Sequence, residues 1–360
     1  MIIKIIVSMI LAYLIMRMIV PYFSKIASTV GLMDKVGAAR KIHTTNIPAI
    51  GGITMGISLL LSMSMHVNDS TVFSGLAFSL LIGAFLLLVT GIVDDKVDLS
   101  PFFKLTIQFC CAYFLVVKGV YFDQVFDLIQ LGFIPMQLKM FLSSFFIVGV
   151  INAYNLIDGI DGLAGSFFLV SFAWFGAVAY FMGMMDIAFL SLVILSVVFA
   201  FLRFNTSREE KIFMGDGGSL LLGFLLAGTT IAVMEGSATS SNAPEIMMGS
   251  IALLGIPVFD EIRVFITRMN AGRSPFYADK SHIHHILLQI NPEHAKVNKW
   301  IMAIAVGTFT TSVLLATISG WLLASGWLLL CFTVLWLVLT QQRNMSSHRQ
   351  ILRQLEKPYL

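Results

Sequence analysis

The sequence predicts an all-α polytopic membrane protein. Hydrophobic residues make up 58% and charged residues 12% of its 360 positions, against roughly 45–50% and 25% in soluble domains. The apolar residues are gathered into runs, and a membrane-spanning helix needs about 20 mostly apolar residues. The longest polar stretch, about 267–300, is too short to form a separate aqueous domain. A soluble globular protein is therefore excluded.

About eleven apolar windows are candidate transmembrane helices, of which the fifth and the eighth are short. In chain order they are 2–23, 50–65, 71–93, 102–120, 140–154, 163–182, 187–204, 220–234, 246–266, 301–318 and 321–339. The first window is predicted to be a span rather than a signal peptide, because its apolar run is too long and no small-residue cleavage site follows. Cys110, Cys111 and Cys331 lie inside windows and are predicted to pack as small apolar residues.

The distribution of basic residues predicts an outside N-terminus and an inside C-terminus. Lys and Arg accumulate on cytoplasmic loops, and in this orientation the outside carries little more than Lys4, Lys118 and Lys139. We therefore expect one transmembrane catalytic domain over 1–340 and a basic cytoplasmic tail over 341–360. The predicted cytoplasmic loops are 24–49, 94–100, 155–161, 205–219 and 267–299.

These five loops hold most of the charged, histidine and glycine-rich stretches, and two spans separate each from the next. All five therefore face the same compartment. A transporter is expected to place its key polar groups near the membrane midplane, often on discontinuous helices. Polar groups at the ends of spans favour an enzyme that works at the membrane surface, with a transporter as the alternative of another class.

Two carboxylates, Asp94 and Asp95, follow the third window directly. Adjacent carboxylates near hydrocarbon are costly unless they are hydrated, paired or bound to a cation. Oxygen ligands of this kind suit Mg²⁺, which usually takes one or two carboxylates together with substrate phosphates. A solvated acidic loop is the alternative interpretation.

A second group comprises Asn155, Asp158 and Asp161, with glycines between and after the carboxylates. The two aspartates are three residues apart and would share a face in a helix. Glycines permit tight turns and close approach of a ligand to the backbone. Their spacing does not match a dinucleotide-binding motif, and a plain turn remains the alternative.

The stretch 213–219 opens the eighth window with three glycines around Asp216. Backbone N–H groups at a glycine-rich helix start can bind phosphate. Asp216 would repel a bare anion but would hold the anion's metal ion. A flexible turn is the alternative.

A histidine cluster, His282, His284 and His285, follows a run of basic residues that includes Arg268. Phosphate binding or proton handling fits these neighbours better than a transition-metal site, since no cysteine or matching carboxylate lies nearby in sequence. Lys41 stands in a further basic stretch, ahead of the glycine pair 51–52 that enters the second window.

Taken in order, these pieces resemble the polyprenyl-phosphate N-acetylhexosamine-1-phosphate transferases, the family that contains MraY, WecA and TagO. The matching stretches cover roughly residues 34 to 288, and the last of them is similar to the WecA and TagO branch, closest to WecA. They read RKIHTTNIPAIGG, GIVDDKVDLSP, NAYNLIDGIDGLAG, FMGDGGSLLLGF and SPFYADKSHIHH.

The resemblance implies transfer of GlcNAc-1-phosphate from UDP-GlcNAc to undecaprenyl phosphate, giving undecaprenyl-diphospho-GlcNAc and UMP. The reaction would start a cell-surface polysaccharide at the cytoplasmic face of a bacterial inner membrane, with Mg²⁺, or alternatively Mn²⁺, as cofactor. Other donors in the family are UDP-MurNAc-pentapeptide and UDP-deoxyamino sugars. The partners implied are the two substrates and the bilayer; no nucleic acid is expected, and a homodimer is left open.

The resemblance also implies roles for individual residues. Asp94 and Asp95 would form a dyad that serves the nucleophile and Mg²⁺, and Asp95 and Asp216 would be metal ligands. The other residues implied in catalysis or substrate binding are Asn155, Asp158 and Asp161 at the nucleotide, His282, His284, His285 and Arg268 at the diphosphate and sugar, and Lys41 near the lipid phosphate. We expect direct attack by the lipid phosphate, oriented by Asp94, rather than a covalent enzyme intermediate.

Overall fold

The computed structural model describes residues 2–34, 46–66, 68–69, 74–275 and 280–356, with side chains up to residue 345. These residues form helices and one two-stranded antiparallel pair, in which Met33 faces Pro48. In chain order the elements are α1 (Ile2–Ile26), β1 (Met33–Asp34), β2 (Ile47–Pro48), α2 (Gly51–Ser64), α3 (Gly75–Val97), α4 (Pro101–Val117), α5 (Gln124–Leu128), α6 (Met136–Ile157), α7 (Leu163–Phe181), α8 (Met185–Asn205), α9 (Gly215–Ser237), α10 (Ala243–Asn270), α11 (Ile283–Leu288) and α12 (His294–Glu356).

Seven of the described helices are long and apolar enough to cross a membrane: α1, α3, α6, α7, α8, α9 and α12. Two more, α2 and α4, are apolar but shorter. The chain is therefore an all-α, multi-pass membrane protein. The described part of each apolar window lies largely on a helix. The fifth and eighth windows, which are short in the sequence, extend to the 22 residues of α6 and the 23 residues of α9.

The last two windows lie on one element, α12, which bends sharply at Gly320. Gly320 has φ 77°, a left-handed conformation that glycine adopts without steric cost. Across the bend, Trp327 Nε1 donates a hydrogen bond to Thr311 Oγ1 at 2.9 Å. Since these residues lie on opposite sides of Gly320, the two arms fold back against each other as a helical hairpin.

Two short helices, α5 and α11, were not predicted from the sequence. Helix α5 lies between the fourth and fifth apolar windows, where no element was predicted. Its start is anchored by Glu235 at the end of α9, whose carboxylate accepts hydrogen bonds from the backbone N–H groups of residues 123, 124 and 125 at 2.9–3.0 Å. Short helices of this kind depend on tertiary contacts, which leave little local signal.

Helix α9 lies at the centre of the bundle, and every residue of its apolar 18-residue stretch is buried. Buried apolar residues from α1 to the second arm of α12 form one large cluster around it. Outward-facing residues of α1 and α12 stay exposed, for example Ile3 and Leu329. This is expected where lipid tails rather than water surround the protein, because they are as apolar as the side chains.

Glycines let the start of α9 approach its neighbours closely. A Cβ atom at Gly52 would overlap the backbone nitrogen of Gly218, and one at Gly91 would overlap that of Gly217. The segments that precede α2 and α9 also pair, since Gly52 N donates to Met214 O at 2.9 Å. The first turn of α9 is thereby held against α2 and α3.

We expect Gly52→Ala to destabilise the protein by about 1–3 kcal/mol, the usual cost of overpacking, because backbone atoms of α9 cannot move aside as a side chain can. The thermal unfolding midpoint of the detergent-purified protein measures this effect. Gly149→Ala in α6 is the matched control, since no atom lies within 4 Å of its Cβ position. Equal melting temperatures for the two variants would contradict the close contact.

Candidate active site

The described parts of the five polar stretches meet at one end of the helical bundle. Side-chain contacts connect the end of α3 to the start of α9, the end of α6 to α9, and the loop after α6 to the start of α12. Backbone pairing adds the segment before α2, since Phe213 N donates to Pro48 O at 2.8 Å. The sequence interpretation that these stretches share one side is thus consistent with the fold.

Asp94 lies in the last turn of α3 and is almost completely buried. Its Oδ1 accepts a hydrogen bond from Leu99 N at 2.7 Å, and its Oδ2 accepts one from Lys104 Nζ at 2.7 Å. Lys104 lies in the first turns of α4, which begins at Pro101 with Ser100 as its N-cap. Asp94 is therefore a paired carboxylate that connects two helices.

Asp95 caps the N-terminus of α9. Its Oδ1 accepts a hydrogen bond from Asp216 N at 2.9 Å, and its Oδ2 accepts one from Gly217 N at 3.3 Å. A carboxylate in this place is stabilised by the free N–H groups and by the helix dipole. Position 215 must be glycine here, because its φ is +69° and a Cβ would lie 2.6 Å from Asp95 Oδ2.

This cap differs from the sequence interpretation of the glycine-rich start. We expected its N–H groups to bind phosphate, but in the structure a side chain of the protein takes two of them. The pattern of glycines did not reveal the cap, because Asp95 is more than a hundred residues away in sequence.

Asp216 lies between α4 and α6. Lys104 Nζ is 3.5 Å from its Oδ2, and Asn155 Nδ2 donates to its Oδ1 at 2.9 Å. Asn155 also donates to Ser219 Oγ at 2.8 Å. Asp94 and Asp216 thus share a single lysine, and Asp95 lies beside them on the backbone of Asp216. We call Asp94, Asp95, Lys104 and Asp216 the carboxylate cluster.

The carboxylate cluster carries an excess of negative charge that fits a divalent cation. Among the described residues, no three His, Cys, Asp or Glu side chains form a ready-made metal site. Mg²⁺ needs no such cage, since it usually keeps several waters and binds through one or two carboxylates plus substrate phosphates. The oxygen-only donors fit Mg²⁺, and Mn²⁺ accepts the same ligand type.

Asp158 is the C-cap of α6, which ends at Ile157. The structure therefore does not place Asp158 and Asp161 on one helix face, because the helix ends before either residue. In the part of the chain that the structure describes, no donor lies within hydrogen-bond distance of the Asp158 carboxylate. Burial, together with the charges of Asp95 and Asp161, raises the pKa of the Asp158 carboxyl to about 7.

Asp161, in the loop after α6, contacts the loop before α9 and the start of α12. Its Oδ2 accepts a hydrogen bond from Lys211 Nζ at 2.6 Å and lies 3.0 Å from His294 Nδ1. Burial opposes ionisation, but the hydrogen bonds from His294 and Lys211 hold the pKa of the Asp161 carboxyl below its ordinary value. Lys211 Nζ also lies 5.4 Å from the centre of the Phe213 ring. Asp161 is thus an ionised anchor for the loop before α9.

The histidine cluster is fixed by Asp260, a buried carboxylate of α10. Asp260 Oδ1 accepts a hydrogen bond from Arg263 Nη2 at 2.7 Å, and Oδ2 lies 2.9 Å from His282 Nδ1. Ile283 N donates to both oxygens at 3.1 Å. Arg263 in turn donates to Ser281 O at 2.5 Å. The loop that carries His282 is therefore bound to α10 through one carboxylate and one guanidinium.

His284 packs against the glycine after Asp158, where a Cβ atom at Gly159 would overlap its Nε2. Burial, and secondarily the charges of His285 and His282, lower the pKa of His284 to about 3, so the ring is neutral at pH 7. Both of its ring nitrogens are buried without a hydrogen-bond partner among the described residues. This contact places the histidine cluster directly against the turn after α6 that contains Asp158 and Gly159.

The remaining predicted residues lie at the edges of this region. The His285 ring lies 4.2 Å from that of His284, measured between centroids. Arg268 is buried at the end of α10, where its Nη1 donates to Pro275 O at 2.5 Å. Lys41 lies outside the described residues. Its loop leads into the segment before α2, which contacts the start of α9.

Five ionisable residues of this region were missing from the predicted set: Lys104, Lys211, Asp260, Arg263 and His294. Three of the five could have been identified from the sequence. Lys104, Asp260 and Arg263 are ionisable residues inside apolar windows, and such residues are functional candidates by default. Lys211 and His294 lie in polar loops among other charges, and only the fold singles them out.

Comparisons with known proteins show the family to which the chain belongs. The family described as Glycosyl transferase family 4 matches residues 77–234, which include the carboxylate cluster and Asp158. A Bacillus subtilis (strain 168) protein named "Probable undecaprenyl-phosphate N-acetylglucosaminyl 1-phosphate transferase" is 32% identical over 81% of this chain and 79% of its own length.

Two enterobacterial relatives carry the name undecaprenyl-phosphate alpha-N-acetylglucosaminyl 1-phosphate transferase. The Escherichia coli (strain K12) protein is 30% identical over 74% of this chain and 71% of its own length. The Yersinia pestis protein is 29% identical, with coverages of 74% and 72%. None of these names supports a transporter. The chain belongs to the polyprenyl-phosphate N-acetylhexosamine-1-phosphate transferase family, within glycosyl transferase family 4.

Proposed function

We propose that the protein transfers GlcNAc-1-phosphate from UDP-GlcNAc to undecaprenyl phosphate. An oxygen of the lipid phosphate attacks the β-phosphorus of the donor, the bond from that phosphorus to the bridging oxygen breaks, and UMP leaves. The products are undecaprenyl-diphospho-GlcNAc and UMP. The names of the relatives favour this donor over UDP-MurNAc-pentapeptide and UDP-deoxyamino sugars.

The observation that carries the proposal is the carboxylate cluster at one end of a membrane-embedded bundle. Three carboxylates and one lysine suit phosphoryl transfer, in which the protein mainly positions groups and stabilises charge. Mg²⁺, when bound, would neutralise charge on the diphosphate and on the departing UMP. Asp216 and Asp95 are the proposed ligands, with oxygen lone pairs left over from their hydrogen bonds.

Side chains of the protein are proposed to orient the lipid phosphate and to bind the nucleotide, the sugar and the diphosphate. Asp94 is proposed to orient the lipid phosphate together with Lys104, whose charge offsets the repulsion between anions. Asn155 and Asp158 face the nucleotide, and Asp161 holds the loop that leads to α9. His282, His285 and Arg268 serve the sugar and diphosphate, while neutral His284 offers a hydrogen bond rather than a charge. Lys41 is proposed to meet the lipid phosphate.

We further infer about eleven spans, an outside N-terminus and a cytoplasmic active site in a bacterial inner membrane. The positive-inside distribution of Lys and Arg supports this orientation, as does the convergence of the polar stretches at one end of the bundle. Residues 1–340 would form one catalytic domain with 341–360 as a basic cytoplasmic tail. The product would begin a polysaccharide of the O-antigen, enterobacterial common antigen or teichoic acid type.

A pH profile tests the role of Asp158. With its pKa at about 7, the carboxyl is mostly protonated at pH 6 and mostly ionised at pH 8. If the ionised form is required, kcat/KM rises through pH 7 by about tenfold per pH unit on the acid side. Asp158→Asn should remove this limb and leave a weaker one near pH 6, where a phosphomonoester loses its second proton. An unchanged profile would contradict the assignment.

Release of UMP by the detergent-purified protein tests the proposed reaction as a whole. The assay supplies undecaprenyl phosphate and UDP-GlcNAc, with either Mg²⁺ or excess chelator. We expect release that needs both substrates and the metal ion. Release only with another UDP-sugar would keep the family chemistry and change the donor. Folded protein that releases no UMP with any donor would overturn the proposal.

A further inference from the structure

A pair of amides, one buried and one half-buried, lies deeper in the bundle than the carboxylate cluster. Gln108 of α4 is only 1% exposed, and Asn152 of α6 donates from Nδ2 to Gln108 Oε1 at 2.7 Å. The same Nδ2 donates to Val148 O at 2.8 Å, so two acceptors serve its two protons. Two helices that are adjacent in an apolar environment are thus joined by a specific polar contact.

These amides are in register with the two groups that contact Asp216. Lys104 precedes Gln108 by four residues on α4, and Asn155 follows Asn152 by three residues on α6. Residues spaced by three or four share a helix face. Lys104 Nζ lies 3.5 Å from Asp216 Oδ2, while Asn155 Nδ2 is 2.9 Å from Asp216 Oδ1. The position of α4 along its axis relative to α6 therefore determines whether Lys104 and Asn155 can contact Asp216 at the same time.

We propose that the Gln108–Asn152 hydrogen bond is a positioning clasp for the active site. It fixes α4 against α6 and thereby holds Lys104 and Asn155 on opposite oxygens of Asp216. Neither amide is assigned a contact with substrate. The proposal rests on the proposed function for its activity readout, and its other readout is independent of turnover.

The test uses apolar replacements of similar shape, Gln108→Met and Asn152→Leu, singly and together, and the exchange variant Gln108→Asn with Asn152→Gln. Each single variant removes the hydrogen bond and leaves the other amide of the pair without this partner, so each should melt at a lower temperature. We expect kcat to fall about 10–100-fold, the usual effect of losing a group that orients a metal ligand, with a smaller change in KM. The Mg²⁺ concentration that gives half of the metal-induced melting shift should rise.

The double variant separates positioning from packing. Removing both amides should restore the melting temperature, because no unpaired polar group remains, while kcat stays low. The exchange variant restores a hydrogen bond and should recover kcat to within a few fold of the wild type. Thr230→Val is the matched control, since this buried hydroxyl of α9 donates only to Leu226 O of its own helix.

Three outcomes would overturn the clasp. They are single variants with wild-type kcat, a double variant that recovers kcat together with stability, and an exchange variant as inactive as the single ones. If the wild type releases no UMP, the proposed function fails. The proposed role of the Gln108–Asn152 hydrogen bond is then tested by the Mg²⁺-dependent melting shift. The single and double variants should weaken this shift, and the exchange variant should recover it.

Discussion

Asp216→Asn is expected to lower the rate of UMP release by about 10²–10³-fold or more, the scale seen when a preorganised charged or polar group is removed from an active site. The amide group cannot supply the negative charge that a metal ion requires, and its N–H₂ would face Lys104, which lies 3.5 Å from Asp216 Oδ2. Thermal stability should stay equal or rise, because one of three neighbouring carboxylates is neutralised. Initial rates and melting curves of the same preparations measure both effects.

Asp98→Asn is the matched control for this variant. Asp98 follows α3, the helix that carries Asp94 and Asp95; it is exposed and has φ 53°, a conformation that asparagine tolerates well. We expect wild-type turnover for this control. An Asp216→Asn protein that keeps more than a tenth of the wild-type rate would show that Asp216 holds no essential metal ion.

Asp260→Ala is expected to destabilise the protein by about 3–5 kcal/mol, the cost of leaving a buried charge uncompensated. Arg263 is 1% exposed and would keep only its hydrogen bond to Ser281 O in the described part of the chain. His282 and Ile283 N would lose their acceptor as well. The melting temperature and the fraction of folded protein in detergent measure this loss.

Glu261→Gln is the control on the same helix. Glu261 is also largely buried, but it takes part in no ion pair among the described residues, so we expect a much smaller change in stability. Similar losses in both variants would mean that any change of charge in α10 is harmful, and the specific network around Asp260 would be refuted.

The membrane fold was predictable because apolar runs of sufficient length leave few alternatives to a helix. The windows located the helices well, since each span satisfies its own backbone hydrogen bonds. The sequence analysis missed features that depend on distant residues. Gly320 was interpreted only as a residue between two spans, whereas its positive φ sets the sharp bend at which the two helical arms of α12 meet. Helix α5 exists because Glu235, far away in sequence, caps it.

The candidate site was predictable as a set of residues, but not as a set of contacts. Asp94, Asp95 and Asp216 were identified from charge beside apolar windows. The structure brings them together, with Lys104 between Asp94 and Asp216 and with Asp95 on the start of α9. The spacing of Asp158 and Asp161 suggested a shared helix face, yet the helix ends before either residue. Whether a carboxylate is free, as Asp158 is among the described residues, or paired, as Asp161 is, depends on the three-dimensional arrangement of loops.

The most direct test of the account follows the fate of the β-phosphate of the donor. The purified protein receives UDP-GlcNAc labelled with ³²P at the β-position, undecaprenyl phosphate and Mg²⁺, and the lipid and nucleotide products are separated. Transfer of GlcNAc-1-phosphate predicts that the label moves into the lipid fraction while the nucleotide leaves as unlabelled UMP. Label that stays with the nucleotide as UDP, with sugar alone on the lipid, would contradict attack at the β-phosphorus.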